Sequence, residues 1–254
     1  IAQCLVGSEM CIRDSHNTNN ENAKLNIFCF PHAGSSSTFF AGWVKYFSDD
    51  VNIFPVQYPA RDNRMSEPMP DSLFELAENM IDESMELFDR PFIFVGHCSG
   101  SIVAYEAAEY LREISGKSPE YMFVSASVAP ENYKLRSTKN LSDEMFFKYY
   151  NYADYEKEKD NPLFKFLLPV IRMDFTLCEK YRYKEKPPLD CPIFAFAGSE
   201  DKEGGDPEKI NLWKKYTTSE IFSTKVYDGD HFYFERNAED ITAIIGKTAK
   251  KICL

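Results

Sequence analysis

The sequence predicts an α/β fold in which a mostly parallel sheet carries helices on both faces. Short, nearly continuous apolar runs bounded by turn residues recur along the chain, which is typical of strands buried on both faces. Between these runs, apolar residues recur at helical spacing. Strands that alternate with helices favour parallel pairing, because the crossover between parallel strands is usually a helix.

Six strands and four helices follow from these patterns. One helix has Asp71 or Ser72 as its N-cap and Glu75 as a capping partner, and another is closed by Gly116. The predicted strands cover residues 25–30, 51–57, 92–95, 121–125, 192–197 and 221–227, and the predicted helices cover residues 72–88, 99–114, 207–216 and 239–250.

Two segments differ from the rest of the chain. Residues 131–186 show no strand pattern and are rich in Phe, Tyr, Lys and Glu, which predicts a helical lid inserted between two strands, or a peripheral subdomain. Residues 1–23 lack a clear period and end in a polar tract, so we expect a disordered or artefactual leader. Residues 24–254 then form one domain, and we expect a monomer.

Composition excludes several classes of protein. The 254 residues include 29 Lys and Arg against 40 Asp and Glu, for a net charge of −11, which argues against nucleic-acid binding. No apolar run approaches the roughly 20 residues that span a bilayer, so no membrane association is expected. Seven cysteines without a regular framework indicate reduced thiols and a cytoplasmic location.

The strongest chemical signal is Gly-His-Cys-Ser-Gly at residues 96–100, which directly follows a predicted strand and precedes a predicted helix. This is the context of a nucleophile elbow, Gly-x-nucleophile-x-Gly. The register makes Cys98 the nucleophile, with Ser99 as a weaker alternative. A helix N-terminus and a nearby imidazole would lower the pKa of the Cys98 thiol and favour the reactive thiolate.

A nucleophile of this kind needs a base, and in this fold the base comes last along the chain. His231 follows the last predicted strand through the turn at residues 228–230, from which it can reach back over the sheet edge. We expect His231 to be the base. The other histidines are His16 in the leader, His32 after the first strand, and His97, whose side chain should point away from Cys98.

The acid should lie between nucleophile and base. Asp201 follows the strand at residues 192–197 and is predicted to orient the imidazole, with Glu200, Asp206 and Asp228 as alternatives. The oxyanion hole should combine the backbone N–H of Ser99 with that of Ala33 in the loop after the first strand, or with that of His32. No ligand spacing predicts a metal, and no phosphate-binding loop predicts a cofactor.

From residue 25 onward the chain resembles the type II thioesterases of nonribosomal peptide and polyketide synthesis, a group that includes the medium-chain acyl-carrier-protein hydrolases. Cys98 and Ser99 depart from the family's usual Gly-His-Ser-Met-Gly, and Ala60 stands where Gly is common. The matching motifs are Phe30-Pro31-His32-Ala33-Gly34, Gln57-Tyr58-Pro59-Ala60-Arg61-Asp62-x-Arg64, residues 96–100, Ala104-Tyr105-Glu106, Leu168-Pro169-x-x-Arg172-x-Asp174-Phe175, Pro188-Leu189-x-Cys191-Pro192 and Gly229-Asp230-His231-Phe232.

The resemblance implies an α/β-hydrolase fold with a helical lid. It also implies hydrolysis of acyl or peptidyl thioesters on the phosphopantetheine arm of an acyl or peptidyl carrier protein, here through Cys98, His231 and Asp201. A small-molecule ester or lactone hydrolase, an acyltransferase, and a non-catalytic module that binds acylated carriers are the alternatives. Arg61 and Arg64 either form ion pairs inside the fold, which we favour, or meet an acidic carrier protein.

Overall fold

The computed structural model describes residues 20–150, 154–201 and 207–254 and is built around one sheet. All five strand pairings of this sheet are parallel. The strand order is β2-β1-β3-β4-β5-β6. The strands are β1 (Leu25–Phe30), β2 (Val51–Pro55), β3 (Phe92–His97), β4 (Tyr121–Ser125), β5 (Ile193–Gly198) and β6 (Phe222–Tyr227).

Helices connect and cover the strands. They are α1 (Leu73–Asp82), α2 (Ser99–Ser115), α3 (Asp143–Tyr150), α4 (Tyr155–Glu158), α5 (Pro162–Lys180), α6 (Pro207–Asn211), α7 (Tyr233–Arg236) and α8 (Ala238–Ile252). Tight 3₁₀ turns at Ser37–Tyr46, Asp62–Arg64, Met85–Asp89, Pro130–Asn132 and Leu212–Tyr216 supplement them.

The capping expected at the start of α1 is present. The Ser72 hydroxyl accepts the Glu75 N–H at 3.1 Å, and the Glu75 carboxylate accepts the Asp71 N–H at 2.8 Å. The helix ends earlier than predicted, because the backbone leaves the helical region at Ser84 and continues as a 3₁₀ turn. The predicted helix at residues 207–216 likewise tightens into a 3₁₀ turn after α6.

Apolar side chains cover both faces of the sheet. One core contains Tyr105 and Trp213, and the other contains Phe40, Trp43 and Tyr233. Strand residues on both faces are buried, which explains why the strands are continuous apolar runs rather than alternating ones. The predicted α/β class, with a parallel sheet covered on both faces, is confirmed.

The segment at residues 131–186, which we call the lid, contains α3, α4 and α5 and no strand among its described residues. Its helices pack through aromatic rings, as between Phe146 and Phe175 at 5.2 Å and between Phe147 and Phe164 at 4.9 Å.

Most of the predicted leader lies outside the described residues. Its last four residues, 20–23, belong to the fold: Asn20 N–H donates to the Asn52 side chain at 2.8 Å, and Ala23 is buried. Across the part of the chain that the structure describes, no helix has the length and apolarity to cross a bilayer.

Candidate active site

Cys98 occupies a sharp turn between β3 and α2. Its φ of 52° and ψ of −124° are strained for a residue with a Cβ, and its N–H donates to the Ser125 carbonyl at 2.8 Å. A Cβ on Gly96 would lie 2.5 Å from Ser101 Cα, so only glycine allows this turn. The turn therefore places Cys98, partly exposed, at the carboxyl edge of the sheet and at the start of a helix.

The second glycine of the turn allows close contact with the loop after β1. A Cβ on Gly100 would lie 2.1 Å from the Phe30 carbonyl oxygen and 2.6 Å from that of Pro31. The first turn of α2 thus touches the backbone that leads into Ala33, and both Ala33 and Ser99 are buried there. The two predicted oxyanion donors belong to these two contacting segments.

His231 and Asp201 meet although 30 residues separate them. The imidazole Nδ1 lies 2.7 Å from Asp201 Oδ2. Their loops are held together by backbone bonds, including Glu200 N–H to the Gly229 carbonyl at 2.9 Å. A Cβ on Gly198 would lie 2.6 Å from that same carbonyl oxygen, so this position too requires glycine.

His231 also interacts with Cys98, so the three side chains lie together. Burial opposes protonation of His231, but its interactions with Cys98 and Asp201 outweigh that effect. The pKa of His231 is therefore raised well above its usual value. An imidazole beside a cysteine, oriented by a carboxylate, is the arrangement of a cysteine–histidine pair that can attack a carbonyl carbon.

The alternative acids do not occupy this place. Glu200 and Asp228 are exposed, whereas Asp201 is buried against the imidazole. Asp206 lies outside the described residues.

His32 and His97 are buried next to each other, and the His97 ring lies 5.5 Å from that of His231. The His97 ring stacks on Phe234 with centroids 4.7 Å apart, and its Nδ1 lies 2.9 Å from the Ser125 hydroxyl. Burial first, and then the charge of His231, lowers the pKa of His97 well below its usual value; the same two causes, with Arg61, lower that of His32 to about 3. Both rings are therefore neutral.

The lid reaches the elbow through α5. Cys178 of α5 interacts with Ser99, Cys98 and Tyr133, so lid residues form the wall beside Cys98. Burial raises the pKa of the Cys178 thiol, which keeps it protonated at neutral pH. Cys178 is therefore a neutral wall residue rather than a second nucleophile.

Two arginines in the segment after β2 lie inside the fold. Arg61 forms a bidentate pair with Asp174, with nitrogen–oxygen distances of 2.7 and 2.6 Å. Arg64 pairs with Glu67 and Glu83. Internal ion pairs are what the sequence favours for both arginines, whereas no sequence pattern predicts a role for Asp174.

No cluster of three or more His, Cys, Asp or Glu residues within residues 20–150, 154–201 and 207–254 is arranged to hold a metal ion.

Residues 25–252 match the thioesterase domain family. The chain belongs to this family. It is 31% identical over 242 residues to the gramicidin S biosynthesis protein GrsT of Aneurinibacillus migulanus, covering 92% of each chain.

Two solved structures are similar to this thioesterase throughout. RedJ, a thioesterase from the prodiginine biosynthetic pathway in Streptomyces coelicolor, shares 32% identity with a TM-score of 0.81, over 90% of this chain and 87% of RedJ. BorB, the type II thioesterase of the borrelidin biosynthetic cluster, shares 29% identity with a TM-score of 0.80, over 92% of this chain and 96% of BorB. The protein is a thioester hydrolase with an α/β-hydrolase fold.

Proposed function

We propose that this thioesterase hydrolyses acyl or peptidyl thioesters from the phosphopantetheine arm of carrier proteins in nonribosomal peptide or polyketide biosynthesis. Cys98 is the nucleophile, His231 the base and Asp201 the residue that orients the base. One observation carries the proposal: His231 lies 2.7 Å from Asp201 through Nδ1 and also interacts with Cys98 at the elbow. The names of GrsT, for gramicidin S biosynthesis, of RedJ, for the prodiginine pathway, and of BorB, a type II thioesterase of the borrelidin cluster, support the proposed substrate class.

In the first half of the reaction, the Cys98 thiolate attacks the thioester carbonyl carbon. The N–H groups of Ser99 and Ala33 stabilise the negative oxygen of the tetrahedral intermediate. Its collapse breaks the bond to the pantetheine sulfur, which takes the proton of His231 and leaves as a thiol. Cys98 now carries the acyl group as a thioester, and His231 is neutral.

In the second half, neutral His231 removes a proton from water as the water oxygen attacks the acyl carbon. The second tetrahedral intermediate uses the same two N–H donors. Its collapse releases the carboxylic acid and restores the Cys98 thiolate beside protonated His231. Asp201 accepts a hydrogen bond from Nδ1 in both halves, so Nε2 is the nitrogen that exchanges protons.

The partner in this proposal is an acyl or peptidyl carrier protein, with neither nucleic acid nor membrane involved. The enzyme acts as a monomer in the cytoplasm. The described cysteines are all free, which fits a reducing compartment.

The test is turnover of an acyl group on a phosphopantetheinylated carrier protein, with the released acid measured by chromatography. Thiol-detecting disulfide reagents are unsuitable, because they would react with Cys98. Cys98→Ala should abolish release, while Ser99→Ala, which keeps the backbone N–H, should retain most of it. Unchanged turnover by Cys98→Ala would refute the assignment of the nucleophile.

Two further measurements separate the alternative functions. Preference for oxygen esters with no response to the carrier protein would favour a small-molecule ester or lactone hydrolase. An acyl adduct on Cys98, seen by intact mass on a substrate that is cleaved slowly, would exclude a non-catalytic binding module.

A further inference from the structure

The backbone that follows Ala33 is held on both sides by buried charged groups. We call residues 31–35 the oxyanion loop. The Gly34 N–H donates to Asp174 Oδ2 at 2.6 Å, and Arg61 Nη1 donates to the Ser35 carbonyl at 2.6 Å. Gly34 has a φ of 80°, a left-handed conformation that glycine adopts without strain.

The two charged groups also hold each other. Arg61 Nη1 and Nη2 donate to Asp174 Oδ2 and Oδ1, respectively. The two side chains are only 3% and 6% exposed. Arg61 Nε donates in addition to the Pro59 carbonyl at 3.1 Å. A bidentate pair in this setting fixes the direction of both side chains, because neither can rotate without leaving a buried charge unpaired.

Asp174 connects two parts of the molecule that lie 140 residues apart in the chain. It belongs to α5 of the lid, whereas Gly34 belongs to the oxyanion loop. The Gly34 N–H is part of the peptide that joins Ala33 to Gly34. A fixed acceptor for this N–H therefore sets the orientation of the backbone at Ala33, whose own N–H is the proposed oxyanion donor.

We propose that Asp174 is a positioning residue for the oxyanion hole. Through Gly34 it holds the Ala33 N–H toward the elbow, and Arg61 holds Asp174 in the orientation this requires. The lid helix α5 thereby supports a group that acts in catalysis, and displacing α5 removes that support. This inference rests on the proposed function, since it concerns the step in which an oxyanion forms.

The test compares two reactions of the same thiol in Asp174→Asn. Acylation of Cys98 by an acyl-N-acetylcysteamine thioester forms an oxyanion, whereas alkylation by iodoacetamide is a displacement that forms none. An asparagine cannot accept from Gly34 and from both Arg61 nitrogens, because its NH₂ group faces a donor. We expect acylation to slow by about tenfold or more, while alkylation keeps the wild-type rate.

Glu179→Gln is the matched control. Glu179 is a buried carboxylate on the same helix, where it accepts from Thr138 N–H at 3.0 Å and from the Tyr150 hydroxyl at 2.9 Å. These partners are lid residues, so its replacement should leave the ratio of the two rates at the wild-type value.

If Asp174→Asn does not fold, Arg61→Lys tests the positioning role of Asp174 instead. It keeps the charge beside Asp174 but loses the bidentate geometry, so acylation should again fall more than alkylation. An equal fall in both reactions, or no fall in either, would overturn the inference while leaving the proposed function intact. Absence of acylation in the wild-type enzyme would instead refute the proposed function itself.

Discussion

His231 Nδ1 lies 2.7 Å from Asp201 Oδ2, and this contact determines which imidazole nitrogen faces the elbow. With Nδ1 committed to the carboxylate, Nε2 is left for Cys98. Asp201 is 7% exposed, so its negative charge acts on the imidazole with little screening by solvent. Interaction with Cys98 and the hydrogen bond to this carboxylate together raise the pKa of His231 despite its burial.

Asp201→Asn should therefore weaken the hold on His231. Without the carboxylate, the imidazole loses the acceptor at Nδ1 and its pKa falls. We expect thioester turnover to drop on the order of 10²-fold, because the base is no longer oriented. Release of the acid from an acylated carrier protein, measured from pH 5 to 10, checks this.

Glu200→Gln is the control for this change. It removes a carboxylate from the adjacent position, but Glu200 is exposed. Its turnover should match the wild type across this pH range. Wild-type turnover in Asp201→Asn would contradict the role given to Asp201.

Gly100→Ala tests the contact between the elbow and the oxyanion loop. The added Cβ would lie 2.1 Å from the Phe30 carbonyl oxygen, a backbone atom that cannot rotate away. The loop and α2 must then move apart, which separates Ala33 from Ser99. We expect turnover to fall by about 10²-fold or more, together with a lower melting temperature.

Gly42→Ala provides the comparison, because nothing lies within 4 Å of the Cβ it would add. It should keep both turnover and melting temperature near the wild-type values. If Gly100→Ala behaved in the same way, the close approach of the two segments would be wrong.

Local signals in the sequence predicted most of the fold. Strands such as β1 and β4 are continuous apolar runs, and the structure places them at the predicted residues. The end of α1 was predicted too late, because Ser84 leaves the helical conformation while the helical spacing of apolar residues continues into the 3₁₀ turn. Periodicity detects which side of a segment is buried, but does not distinguish a helix from a tighter turn of similar spacing.

Some residues of the candidate site can be predicted from the sequence and others cannot. Cys98, Asp201 and His231 each follow a predicted strand, and their order along the chain is the one this fold requires, so the sequence is enough to predict them. Asp174 is different: its partner Arg61 is 113 residues away, and an acidic residue on an amphipathic helix is usually solvated. Asp174 is buried only because the lid packs on the segment after β2, and local sequence patterns do not predict that packing.

The proposed Cys98 nucleophile should also influence the fate of the acyl group. The acyl-enzyme it would form is a thioester, which amines attack more readily relative to water than they attack an oxygen ester. With an added amine, the wild-type enzyme should yield a larger fraction of amide than Cys98→Ser, whose acyl-enzyme is an oxygen ester. The product ratio, measured by mass spectrometry at several amine concentrations, checks this.

Equal amide fractions in the two enzymes would show that the thiol does not set the outcome. A dominant amide product in the wild-type enzyme at low amine concentration would favour the acyltransferase alternative over hydrolysis. The background reaction of the free thioester with the amine is the control.

The buried histidines should make the protein sensitive to acid. Burial holds the pKa of His97 well below its ordinary value near 6.5 and lowers that of His32 to about 3. Below pH 6.5 the unfolded chain therefore binds more protons at these positions than the native protein does. Stability must then decrease as the pH falls, by about 1.4 kcal/mol per pH unit for each histidine until its folded-state pKa is reached.

His97→Asn should remove one of these two contributions, since the asparagine amide can still bond to Ser125 but does not titrate. We expect lower stability than wild type at pH 7.5, from lost ring packing, but a smaller decrease between pH 6.5 and 5. Urea unfolding at several pH values measures both effects. Phe39→Leu, which removes a ring that stacks on His97 with centroids 5.4 Å apart, should lower stability without changing this slope. If the decrease in stability between pH 6.5 and 5 were the same in His97→Asn as in the wild type, folding would not lower the pKa of His97.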